Sequence, residues 1–157
     1  MEKEKLSTEE IVQVYKEDVK RLVRYLPYFE GKKADDVSRQ YTGDEIGEKL
    51  MSFPVYDSTL LGFVKEARQT CFMDDNYRYV YSRNGLRTHQ DEWKLIERAT
   101  IQDMDYLGGI LSKYVYGGMT KGSVWSEAVE YGIFYRVIKK AQELVEFWDK
   151  PMDQRKA

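Results

Sequence analysis

The sequence predicts a mainly α fold, a single compact domain of about six helices, and three observations carry that prediction. Apolar residues recur at three- and four-residue spacing, most clearly between Thr100 and Trp148. Helix-capping residues precede most of these stretches, and glycine or proline follows them. With 42% hydrophobic and 33% charged residues over 157 positions, the chain has enough apolar surface for one core without a disulfide or metal staple. Residues 1–150 are assigned to that domain and residues 151–157, after Pro151, to a frayed tail.

Taken in order, Ser7-Thr8-Glu9-Glu10 has the form of a capping box and predicts a first helix. Ile11, Tyr15, Val19, Leu22, Val23 and Leu26 fall on its apolar stripe, and Pro27 and Gly31 end it. Residues 32–49 collect Asp35, Asp36, Gly43, Asp44 and Gly47, which reads as a surface connection with at most one helical turn. Met51, Phe53 and Val55 alternate around Pro54, so residues 51–56 are expected to be extended, and Asp57 or Ser58 then caps a helix carrying Leu60, Leu61, Val64 and Ala67.

Residues 77–81 alternate like a strand, yet a short helix closed by Asn84-Gly85 is the favoured reading. Thr88 caps a helix bearing Trp93, Leu95, Ile96 and Ala99. Thr100 and Asp103 cap the next, with Met104, Leu107, Leu111, Tyr114 and Val115 on its stripe, and Gly117 and Gly118 are expected to stop it. Ser123 opens a further helix with Trp125, Ala128 and Val129. Gly132 interrupts or bends it before Ile133, Phe134, Val137, Ile138, Ala141, Leu144, Val145 and Trp148.

Composition excludes several classes of function. The 25 basic and 27 acidic side chains leave a net charge of -2, so there is no bulk attraction to nucleic acid or an anionic membrane. Lys16, Lys20, Arg21 and Arg24 form the one basic stripe, and Glu17 and Asp18 dilute it, which makes nucleic acid a poor partner. No apolar run approaches the length of a membrane span or signal peptide. One cysteine, Cys71, and one histidine, His89, exclude an internal disulfide and thiolate-rich or imidazole-rich metal sites. A reducing, cytoplasmic setting is expected, with no metal and no cofactor.

The candidate chemistry is sparse. Thr120-Lys121-Gly122-Ser123 at an expected helix start offers amides, hydroxyls and an ammonium to a phosphate or carboxylate, or else is a capped interhelical turn. It lacks the Walker order. Glu127 and Glu130, three apart on one helix face with Tyr131 beside them, suit acid–base work or magnesium, or else a solvated face. His89 reads as an exposed first-turn histidine and Cys71 as a small buried apolar group.

The 13 tyrosines are more distinctive, because their rings combine apolar area with a polar tip. They suit a ligand pocket or a partner interface, or else the rim of an ordinary core, and Tyr77, Tyr79, Tyr81 and Tyr116 are the candidates for an interface. The leading expectation is therefore a non-enzymatic interaction domain that binds a protein partner or self-associates into a homo-oligomer. The alternative is an enzyme or sensor binding a small anionic or phosphate-bearing molecule near residues 117–123.

Leu26-Pro27-Tyr28-Phe29-Glu30, Phe53-Pro54-Val55-Tyr56 and the run from Gly122-Ser123-Val124-Trp125 through Tyr131-Gly132-Ile133-Phe134 span most of the chain. In these segments and their order the sequence resembles a family of small bacterial and archaeal proteins catalogued as domain of unknown function 6508. The resemblance implies a mostly helical bacterial domain whose last two helices form a stable unit, and it carries no catalytic residues across.

Overall fold

The computed structural model describes residues 6–42 and 52–155. The chain is a mainly α, single helical domain, with nine α-helices among the described residues. They are α1 (Thr8–Val23), α2 (Leu26–Phe29), α3 (Ala34–Val37), α4 (Ser58–Ala67), α5 (Tyr77–Asn84), α6 (His89–Arg98), α7 (Met104–Thr120), α8 (Val124–Glu130) and α9 (Ile133–Asp149). Two strands, β1 (Ser38–Thr42) and β2 (Ser52–Tyr56), pair antiparallel with Ser38 opposite Tyr56 and Thr42 opposite Ser52.

The helix starts follow the expected caps. The Ser7 hydroxyl accepts from the Glu10 amide while Glu10 accepts from the Ser7 amide, both at 3.2 Å. Asp57 accepts from the Leu60 amide at 2.9 Å to open α4, and the Thr88 hydroxyl accepts from the Asp91 amide at 3.1 Å to open α6. Thr100 and Asp103 bond as expected, closing a short 3₁₀ turn (Ile101–Asp103) that leads into α7. Gly85 and Gly132 both have positive φ, at 64° and 67°, where a side chain is strained, and each separates two helices.

The α7 helix is the centre of the molecule. Met104, Leu107, Gly108, Gly109, Ile110, Leu111, Ser112, Tyr114 and Val115 are all buried, so it is enclosed almost all round. It packs against α5, α6, α8 and α9, while α1 lies along α9. Phe29, Phe63 and Phe134 meet at ring-centre distances of 4.8 to 5.6 Å and tie α2, α4 and α9 together. No helix among the described residues is long and apolar enough to cross a membrane.

Several expectations need correction. Gly117 and Gly118 do not end α7, which continues to Thr120. Their lack of a side chain serves packing instead, because a Cβ on Gly118 would lie 2.1 Å from the Trp125 ring. About six helices become nine because single turns count separately and Gly132 fully divides α8 from α9. The first helix stops at Val23, and Pro27 sits in the first turn of α2 rather than ending α1. The connection after residue 32 holds the one expected helical turn, α3, and also β1, which pairs with the next strand in the chain.

The extended reading of residues 51–56 holds over β2, with Met51 outside the described residues, and residues 77–81 are helical. Residues 152–154, expected to fray, form a 3₁₀ turn (Met152–Gln154). It is tied back by the Arg155 guanidinium, which donates to the Lys150 and Trp148 carbonyls at 2.9 and 3.0 Å.

Candidate functional site

The site is built on a carboxylate in an unexpected place. Glu92 follows the same stripe as Leu95 and Ile96 on α6, and only 2% of it is exposed. A buried charge needs partners. The Tyr114 hydroxyl lies 2.7 and 2.9 Å from its two oxygens, the Tyr81 hydroxyl donates to it, and the Lys113 ammonium stands 3.7 Å away. Burial, and then the Glu92 charge, push the phenol pKa of Tyr81 well above its ordinary value. Burial, followed by the hydrogen bond to Glu92, does the same for Tyr114, so both remain neutral donors.

His89, one turn earlier on α6, spans two carboxylates. Its Nδ1 faces Glu92 at 2.9 Å and its Nε2 faces Glu127 of α8 at 3.0 Å. The Tyr131 ring stacks on it at 3.7 Å and 18°, and the Tyr131 carbonyl accepts from the Trp93 indole at 2.9 Å. His89 is therefore a half-buried structural link between α6 and α8, not the exposed first-turn residue expected.

Above this chain opens a cleft of about 820 Å³. Tyr77, Arg78 and Tyr81 come from α5, Arg87 from the loop before α6, Lys113 and Tyr114 from α7, Lys121 from the turn before α8 and Glu127 from α8 itself. Lys113 lies over the Tyr81 and Tyr114 rings, 4.5 and 5.1 Å from their centres. Among the described residues, Arg78, Arg87 and Lys121 join no ion pair.

The basic stripe of α1 is the contrast. Lys16 pairs with Asp149 at 3.1 Å, Lys20 with Glu17 at 3.6 Å, Arg21 with Asp18 at 3.6 Å and Arg24 with Glu66. Those cations are answered within the fold.

Of the residues singled out from sequence, Lys121 and Glu127 share the cleft. Glu130 does not join them, since its carboxylate accepts from the Ala34 amide at 2.8 Å, so the two acids serve different neighbours. Thr120 is exposed and its hydroxyl turns back to the Gly117 carbonyl at 3.3 Å. The Gly122 carbonyl accepts from the Tyr56 hydroxyl. Ser123 precedes α8 with no side-chain cap, contrary to expectation, because its backbone is already helical; the Ser126 hydroxyl donates to its carbonyl instead.

Tyr131 belongs to the His89 stack rather than to the cleft wall. Among the interface candidates, Tyr79 is 52% exposed and Tyr116 is half-buried beside Tyr77, whereas Tyr77 and Tyr81 line the cleft. Tyr81 thus stands in the cleft wall with its hydroxyl donating to Glu92.

Cys71 is exposed rather than buried as a residue, although its sulfur rests 3.5 Å from the Val14 carbonyl. Partial burial of the sulfur, and then Asp18, push the thiol up to about 12, which leaves it un-ionised and a poor nucleophile. No group of three or more His, Cys, Asp or Glu among the described residues could hold a metal ion. Sequence reading passed over Glu92, Lys113, Arg78 and Arg87, and placed Tyr114 on an apolar stripe without linking it to Glu92. The legible signal for Glu92 was a carboxylate on an apolar stripe, three residues from the sole histidine. The chain matches no family model, no curated protein and no solved structure.

Proposed function

We propose that the protein binds a small anionic molecule, carrying phosphate or carboxylate groups, in the cleft between α5, α7 and α8. The observation that carries this reading is the gathering of Arg78, Arg87 and Lys121, without carboxylate partners among the described residues, at one concave opening of a chain whose net charge is -2. Cations that no carboxylate answers inside the fold gain from an anion outside it, and a concave, partly low-dielectric wall strengthens that attraction. Glu92 and its tyrosines form the rigid floor that fixes Lys113 and Tyr114.

The geometry favours this reading over protein interaction through exposed tyrosines, because Tyr77 and Tyr81 turn into the cleft. It is a binding assignment and specifies no reaction. Thermal unfolding with inorganic phosphate, pyrophosphate and citrate tests it. Bound ligand raises the melting temperature according to its concentration over Kd. At least one of the three anions should stabilise the wild type, and Arg87→Ala with Lys121→Ala should remove most of that stabilisation. An unchanged response in the double variant would sink the reading.

A further inference from the structure

We infer that the ligand of this cleft is a free nucleoside phosphate, its phosphates held by Arg87 and Lys121 and its base laid between Tyr77 and Arg78. The inference rests on the anion-binding reading and narrows it. Size is the first argument. Inorganic phosphate or pyrophosphate leaves most of the cleft of about 820 Å³ unfilled, whereas pockets of roughly 300–1,000 Å³ suit ligands of many more atoms.

The walls are the second argument. Three tyrosine rings face one opening, and the fold fixes two of them through hydroxyls bound to Glu92. Lys113 covers Tyr81 and Tyr114 and is itself held by Glu92. The cation over Tyr77 is Arg78, which joins no ion pair among the described residues, so Tyr77 is the ring a base can take by displacing that guanidinium outward. Tyr77 is backed by Tyr116 at 6.5 Å, and the exposed Arg78 guanidinium, 5.4 Å from its centre, is placed to close over a planar group. Aromatic and guanidinium planes stack on any base, and a guanidinium fork also matches phosphate oxygens.

Glu127 is the third argument. His89 holds its Oε1, and its side chain is 43% exposed, so its second oxygen is left to accept from a ligand. A bare polyanion offers at most a phosphate hydroxyl there and is repelled by the charge. A nucleoside brings amino and hydroxyl donors together with its phosphates.

Calorimetric titration of the full chain with pyrophosphate and with ADP separates the two levels of the inference. ADP should bind the wild type at least about tenfold more tightly than pyrophosphate, the size of a single base–aromatic stacking contact. Tyr77→Leu, which keeps apolar bulk without the ring, should return ADP to the pyrophosphate affinity and leave pyrophosphate binding intact, while Tyr77→Phe should retain the ADP preference. Equal affinities for pyrophosphate and ADP in the wild type would overturn the nucleoside assignment and leave the anion-binding reading standing. Binding of neither would overturn both. A single-stranded RNA hexamer binding tenfold more tightly than ADP would overturn the free-nucleotide form. So would loss of the ADP preference in Tyr77→Phe.

Discussion

Glu92 shows how one residue organises a site that it does not line. Its carboxylate is stable in the interior only because two phenols, an imidazole and an ammonium converge on it. Glu92→Ala should therefore lower unfolding free energy by about 3 kcal/mol, the range for removing one partner from a buried charged network. Urea denaturation measures this, and a loss within about 0.5 kcal/mol, as for an ordinary surface carboxylate, would contradict it. The same burial has a consequence at high pH. Unfolded tyrosines ionise near pH 10, whereas folded Tyr81 and Tyr114 hold their protons above that value. As pH rises past about 10 the unfolded state sheds protons that the folded state keeps, so stability falls. Ultraviolet titration should show at least two phenolates appearing only together with unfolding. Ionisation of every tyrosine while the fold persists would refute this.

Among the elements, those whose cause lies within a few residues were legible in the sequence. The caps at Ser7, Asp57, Thr88 and Thr100 and the breaks at Gly85 and Gly132 need only local backbone chemistry. What failed depended on neighbours beyond the local turn. The β1 strand exists because β2, the next strand in the chain, pairs with it, and strand pairing leaves little local signal. Gly117 and Gly118 look like a helix stop by propensity, yet α7 runs through them because Trp125 packs where a Cβ would stand and donates to the Val115 carbonyl at 3.1 Å. Gly118→Ala should thus destabilise by about 1–3 kcal/mol through overpacking, despite the gain of roughly 1 kcal/mol that alanine brings to a helix interior. Denaturant unfolding decides the sign, and a stabilised variant would show that Trp125 yields at no cost.

The whole molecule distributes its charge unevenly. Near neutrality overall, it answers the cations of α1 with carboxylates and leaves Arg78, Arg87 and Lys121 at the cleft without ion pairs among the described residues. Lys121 was legible as a candidate because it sits in a turn at an expected helix start, and Glu127 because it lies three residues from Glu130 on one helix face. Arg78 and Arg87 were not, since only the packing of α5 on α7 brings them to the same opening. Exposed charges attract an anion through solvent, so pyrophosphate affinity should weaken several-fold between 0.05 and 0.5 M sodium chloride as the Debye length shrinks from roughly 14 Å to about 4 Å. Calorimetry at the two salt concentrations checks this, and a salt-independent affinity would argue against a cation-lined site.

The measurement that tests the central claim most directly is an amide-resolved NMR titration with pyrophosphate. The cleft assignment predicts saturable shifts confined to residues 77–87, 113–121 and 124–127, with α1 and its basic stripe unmoved. Shifts centred on Lys16, Lys20, Arg21 and Arg24, or no shift at millimolar pyrophosphate, would contradict it.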